Sequence, residues 1–245
     1  MNDPYVNIHT HRPTGRGIEL RAEGIHPWQA EATAPGNLPA LTAAAQAVGE
    51  IGLDYARATD RGAQLRLLRE QLDLAERTGL PVVLHCVRAF EPLMKELQGR
   101  RLKAVIFHGF IGSPQQAARA LAAGYCLSFG ERTFRSPRTT EVLRTLPADR
   151  LFLETDDSDV AIETVYARAA EVRGTTVGEL RRVIAVSYRI TFQSSRAQRA
   201  FGQRARRRFQ RYRRVDKTCH LRGVRRDMFL RARRETRVHV SRGGT

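Results

Sequence analysis

From Tyr5 to Phe192, short apolar runs alternate with helix-like stretches, and this alternation leaves few folds open. Runs of four to six apolar residues recur at Tyr5–His9, Val48–Leu53, Val82–His85, Val105–His108, Tyr125–Phe129 and Leu151–Glu154. Gly17–Ile25 is broken by glycine and reads as one strand or two. Between the runs lie segments with apolar residues at helical spacing. The clearest is Arg61–Thr78, with Leu65, Leu68, Leu72 and Ala75 on one stripe and Gly79 and Pro81 as stop signals. Further helices are expected at Leu38–Ala47, Phe90–Gln98, Pro114–Ala123, Pro137–Leu146, Val160–Arg173 and Val177–Phe192. Strands that are continuously apolar and separated by helices pair in parallel, under helices on the outside. The expected fold class is α/β, an abbreviated TIM (β/α) barrel, because a full eight-unit barrel takes about 250 residues. An open doubly wound sheet is the runner-up, and no GxGxxG or GxxxxGK[ST] loop supports it.

Charge divides the chain. Residues 194–245 hold 18 of the 42 basic side chains and three of the 25 acidic ones, so nearly all of the net +17 lies there. Residues 1–193 are therefore expected to form the domain, and 194–245 a basic, disordered extension. Arg204, Arg206, Arg207, Arg208, Arg211, Arg213 and Arg214 interleave with Phe209 and Tyr212. Three readings stand: an arm that contacts nucleic acid, a disordered basic tail, or text translated in a shifted frame. The last two together are preferred over a functional arm. Cys219-His220 has no second ligand pair at zinc-site spacing.

Three cysteines cannot build a disulfide framework, no run of about 18 apolar residues could span a membrane, and the N-terminal residues lack a signal-peptide layout. A cytoplasmic protein with no membrane partner is the expectation. Cys86 and Cys126 read as small core residues.

The histidines carry the chemistry. His9 and His11 follow the first apolar run, His85 follows Pro81–Leu84, and His108 follows Ala104–Phe107. Asp156 follows Leu151–Thr155, and Glu50 sits inside Val48–Leu53. In a parallel barrel all these strand ends meet on one rim. Residues two apart on an extended chain point the same way, so His9 and His11 can share one ion. Four imidazoles and two carboxylates make a nitrogen-and-oxygen ligand set for one or two divalent cations. No GxSxG turn supports acyl-enzyme chemistry.

His9-Thr10-His11, Gly24-Ile25-His26-Pro27, the Gly49–Tyr55 run GEIGLDY, Leu84-His85-Cys86, Phe107–Ser113 and Glu154-Thr155-Asp156 occur in that order. Over roughly residues 5–192 this series resembles the TatD-family metal-dependent hydrolases of the amidohydrolase superfamily. The resemblance implies a distorted TIM barrel, two divalent metal ions (Zn, Mg or Mn) and hydrolysis of phosphodiesters such as DNA. It implies that His9, His11 and Asp156 hold one metal, His85 and His108 the other, and that Glu50 bridges both. Asp156 and Glu50 are then the catalytic carboxylates, with Asp156 placed to take a proton from the nucleophile.

Two departures from the family pattern matter. Asn7 stands where an acidic residue is usual, and only Arg12–Gly24 separates the first two motifs, too short for the usual intervening helix. A barrel trimmed on that side is expected. Arg12, Arg88, Arg132 and Arg135 lie on the expected rim loops, and are read as substrate-binding groups for phosphate oxygens or as solvated loop charges. His26 either faces the rim or packs with Pro27 and Trp28 as a structural corner, and the corner is preferred. Glu154 is read as a neighbour of the ligand set or as a strand-end ion pair, and Asp157, Ser158 and Asp159 as caps of the following helix. The alternative to an enzyme is a nucleic-acid-binding protein with a non-catalytic barrel.

Overall fold

The computed structural model describes residues 3–193; the Arg-rich segment and the readings placed on it lie outside the described residues. Eight short strands are all parallel: β1 (Val6–Asn7), β2 (Ile18–Glu19), β3 (Ala22–Glu23), β4 (Ala47–Asp54), β5 (Val82–Val87), β6 (Val105–Phe107), β7 (Cys126–Phe129) and β8 (Leu151–Leu153). β3 to β8 pair in chain order, and β1 pairs with β2. The glycine-broken segment forms two strands rather than one, with only Leu20 and Arg21 between β2 and β3. The ring closes between β8 and β1. Ile8 N–H donates to Leu153 O at 3.0 Å, Asp156 N–H to His9 O at 3.1 Å, and His11 N–H to Asp156 O at 2.9 Å. This is the parallel barrel expected, and its strand C-termini share one rim.

The helices α1 (Arg61–Thr78), α2 (Phe90–Leu97), α3 (Pro114–Ala122), α4 (Pro137–Thr145), α5 (Ile162–Arg173) and α6 (Val177–Tyr188) cover the outside. Each strand from β4 to β7 is followed by a helix, and β8 by two. Between β1 and β4 there is no α-helix, only a 3-10 turn at Pro27–Gln29. The trimming foreseen from the short first spacer is therefore visible. It extends further than foreseen, because residues 38–46 are not helical either. That stretch offers only Leu38 and Leu41 as large apolar groups, so no stripe anchors it, and an isolated helix so short is marginal in water. Thr42 is instead held by Glu23, whose Oε2 accepts from Thr42 N–H at 2.8 Å.

α1 is built as its sequence requires. Asp60 Oδ1 accepts from Ala63 N–H at 2.7 Å, and Gly79 (φ 67°) closes the other end with its N–H on Ala75 O. Leu68, Leu72 and Ala75 are buried against the sheet, and each leucine contributes about 2 kcal/mol by leaving water. Two glutamines on the same helix are also buried and turned to a different use. Gln71 accepts from Ile25 N–H (2.6 Å) and donates to Ile25 O (3.0 Å). Gln64 accepts from Asp54 N–H (2.8 Å) and donates to Asp54 O (3.0 Å). Helix α1 thereby fixes the chain beside His26 and at the end of β4, both on the rim.

α5 starts at Ile162 rather than Val160 and has no side-chain cap. The expected cap residue Ser158 gives its hydroxyl to Glu131 Oε2 at 2.7 Å, on the neighbouring loop. The same hydroxyl accepts from Val160 N–H at 3.1 Å, so it ties the start of this segment to the neighbouring loop.

Candidate active site

Glu50 sits at the centre of the rim cluster. β4 gains one residue relative to β5 between Val48 and Ile51, and this bulge places Glu50. Beyond it Gly52 faces His85 in register, so closely that a Cβ on Gly52 would lie 2.0 Å from the His85 carbonyl oxygen. Only glycine lets β4 and β5 approach at the point that sets His85.

The two oxygens of Glu50 face different partners. Oε2 lies 3.2 Å from His9 Nε2 and 3.5 Å from His11 Nε2, and both imidazole nitrogens are 3.5–3.6 Å from Asp156 Oδ1. Oε1 lies 2.5 Å from His85 Nδ1, 2.5 Å from His108 Nε2 and 3.5 Å from His26 Nε2. All six residues expected as ligands, His9, His11, Glu50, His85, His108 and Asp156, thus meet in one place. Their donor atoms fall into overlapping groups within 4.8 Å: His9–His11–Asp156, His9–Glu50–His108, His26–Glu50–His85 and His108–Glu154–Asp156.

The donor set fits divalent cations. His85 Nδ1 and His108 Nε2 face each other at 3.3 Å across a carboxylate oxygen. His9 Nε2 is buried without a hydrogen bond although it faces the cluster. Converging lone pairs of this kind cost free energy unless a cation or a proton sits among them. Burial opposes the charge on Glu50, yet His108, His26, His85 and His9 outweigh it and hold the carboxyl far below the usual carboxylate range. Burial alone would depress His108, and Glu154 with Glu50 instead push it up to about 10. Asp156 moves the other way, raised first by burial and then by the charge of Glu154. Within one cluster, then, one carboxylate is locked as an anion and another is made more basic.

Three rim residues did more than their local sequence indicated. His26 is both things at once, correcting the corner reading: its Nδ1 accepts from Trp28 N–H at 3.2 Å while its Nε2 faces Glu50. Asp54, given no role from the sequence, is buried and takes the Trp28 indole N–H at 2.7 Å, with His85 Nε2 at 3.3 Å. It supports the outer nitrogen of His85 while the inner one faces Glu50, as a carboxylate behind a metal-binding imidazole does. Glu154 is fully buried, with Oε1 3.5 Å from His108 Nδ1, the second such pair. Asn7 is buried too. Its amide donates to Thr155 Oγ1 (2.9 Å) and accepts from Thr155 N–H (3.0 Å), which pins the chain next to Asp156 without adding charge.

The expected phosphate contacts are less uniform. Arg88, Arg132 and Arg135 line a cleft of about 540 Å³ together with His85, His108, Glu154 and Asp156. Arg132 lies 3.4 Å from Asp157, and Arg135 donates to Glu131 at 2.9 Å; both are exposed. Arg12 is not among the lining residues and pairs with exposed Asp159. Cys126 is buried as expected, whereas Cys86 is partly exposed and lines the cleft, its thiol pushed up to about 12 by burial.

The family model for TatD related DNase matches residues 20–194. The chain belongs to the TatD family. A TatD-family homologue, the uncharacterized metal-dependent hydrolase YjjV of Escherichia coli, is 38% identical over 152 residues, 58% of this chain and 59% of that protein. The 3'-5' ssDNA/RNA exonuclease TatD of Erwinia tasmaniensis is 35% identical over 146 residues, 54% of this chain and 56% of its own length. The crystal structure of YjjV superposes with a TM-score of 0.64 at 30% identity, over 72% of this chain and 78% of that one. The chain thus spans between 45% and 59% of the length of the curated relatives it matches. No helix among the described residues is long and apolar enough to cross a membrane.

Proposed function

We propose that the chain is a divalent-metal-dependent hydrolase of phosphodiesters, acting on nucleic acid. The observation that carries this reading is the division of Glu50: one oxygen serves His9 and His11, the other His85 and His108. His9, His11 and Asp156 would hold one cation, His85 and His108 a second, and Glu50 would bridge them. Such a pair, when bound, lowers the pKa of a water and offsets charge on the attacked phosphoryl group.

The chain's own groups do the rest. Asp156 would accept the proton released by the attacking water on the carboxylate oxygen that does not face His9 and His11. Asp54 and Glu154 hold His85 and His108 from behind. Arg88, Arg132 and Arg135 receive the phosphate oxygens, with Arg12 further out. Residues 1–193 are the catalytic unit. With only three cysteines in the chain, a reducing cytoplasm suits it.

The test uses the full chain, stripped with a chelator and assayed on bis(p-nitrophenyl) phosphate and on single-stranded oligonucleotide. Cleavage is expected to be absent after stripping and restored by Zn, Mn or Mg. If the protein retains oligonucleotide in a binding assay but cleaves neither substrate with any of the three, the barrel is non-catalytic and the proposal fails.

A further inference from the structure

Trp28, the chain's only tryptophan, stands in the 3-10 turn that follows β3 and is 50% exposed. A single open apolar side chain is ordinary on a protein surface. This one, however, is tethered at two points. Its backbone N–H donates to His26 Nδ1 at 3.2 Å, and its indole N–H donates to Asp54 Oδ2 at 2.7 Å. Both partners adjoin the metal-ligand cluster: His26 Nε2 faces Glu50, and the same Asp54 oxygen faces His85 Nε2. The indole centroid lies 4.5 Å from that of His26 and 6.3 Å from that of His85. A large aromatic group is thus fixed against the rim with half of its surface left open. A tryptophan that only closed the corner would bury its ring.

Arg57, on the loop after β4, lies over this ring, its guanidinium carbon 3.9 Å from the centroid. It is exposed and in no ion pair among the described residues. Arg12, Arg132 and Arg135, by contrast, each face a carboxylate. A guanidinium stacked by its face keeps its in-plane N–H groups free to meet phosphate oxygens. The arginine cleft described above is built from the ends of β5 to β8 and the loops that follow them. Trp28 and Arg57 come after β3 and β4, on the stretch of rim that the cleft does not use.

We infer that Trp28 and Arg57 form a stacking platform for one base of a single-stranded nucleic acid whose phosphate lies on the Glu50 cluster. The base lies on the open surface of the indole, and the Arg57 N–H groups take a phosphate next to it. Every base has a π face, so the platform selects unpaired strands rather than a sequence. The inference rests on the phosphodiesterase reading above and deepens it by naming what holds the substrate on the β3–β4 side.

Because Trp28 is the only tryptophan, its fluorescence reports on the platform. The metal-loaded full chain is mixed rapidly with a short oligothymidylate, or with an abasic phosphodiester oligomer of the same length, and emission is read before turnover. Quenching by the oligothymidylate and not by the abasic oligomer is expected. In steady state, wild type should prefer the oligothymidylate about 10-fold in kcat/KM, and this preference should fall towards one in Trp28→Ala. Trp28→Phe keeps a ring but loses the bond to Asp54, so it should retain most of the preference. Arg57→Gln should flatten the slope of log kcat/KM against log salt by about 0.7 for both oligomers, and an unchanged slope removes Arg57 from the platform. Equal quenching by the two oligomers, or no preference in wild type, overturns the platform while leaving the phosphodiesterase standing. A Trp28→Phe variant that loses as much as Trp28→Ala also overturns it, tracing the effect to the lost bond with Asp54. Base-dependent quenching with no cleavage of either oligomer or of bis(p-nitrophenyl) phosphate overturns the phosphodiesterase and leaves the platform as a binding site for single strands.

Discussion

Glu50→Gln is expected to lower phosphodiester cleavage by about three powers of ten, about 4 kcal/mol of barrier, and to weaken metal binding at least 100-fold. The reasons lie in charge and in donor count. Glutamine has the same shape, but one of the two positions now held by oxygen becomes an N–H₂ group. Whichever way it turns, that group faces either the His9–His11 pair or the His85–His108 pair. A donor there cannot ligate a cation, and the negative charge shared by both groups is lost. Support from behind the ligands costs 10–100-fold in affinity when removed, so loss of the shared ligand should cost more. Metal content by mass spectrometry and kcat/KM on bis(p-nitrophenyl) phosphate check it; wild-type values for both would remove Glu50 from the site.

The second large effect should separate from the first. Asp156→Asn is expected to cut kcat by about 10²–10⁴ while metal content falls far less. Asparagine keeps an Oδ1 where His9 and His11 find it, but it cannot accept a proton. The substitution is also unusually safe for the fold. Asp156 has φ 54°, a conformation asparagine tolerates well, and its backbone bonds to His9 and His11 involve only main-chain atoms. A variant with normal metal content and normal kcat would show that another group takes the proton.

These residues were legible because each follows or interrupts an apolar run. A histidine after four apolar residues, repeated on separate strands, can only mean a shared rim once the strands are parallel. His26 lacked that signal, since it follows Gly24-Ile25 and precedes Pro27-Trp28, which read as a turn. It is in a turn, and the other ring nitrogen still reaches Glu50. Asp54 had a signal that went unused: Glu50, Gly52 and Asp54 alternate along one strand, which places them on the same face. The Ala-rich stretch before β4 failed for a different reason. Helix propensity alone does not sustain so short a segment without a packed stripe, and Glu23 on β3 held Thr42 in another conformation. The other helices were read to within a residue or two from their apolar stripes, except that α6, expected to run to Phe192, ends at Tyr188 and passes into a π-helical turn over Arg189–Gln193.

The central claim is that one carboxylate bridges two cations on this rim. Anomalous diffraction from crystals of the full chain grown with Zn or Mn tests it most directly. Two anomalous peaks about 4 Å apart, one beside His9 and His11 and one beside His85 and His108, with a Glu50 oxygen against each, are the predicted result. A single peak, or two peaks of which neither touches Glu50, would contradict it.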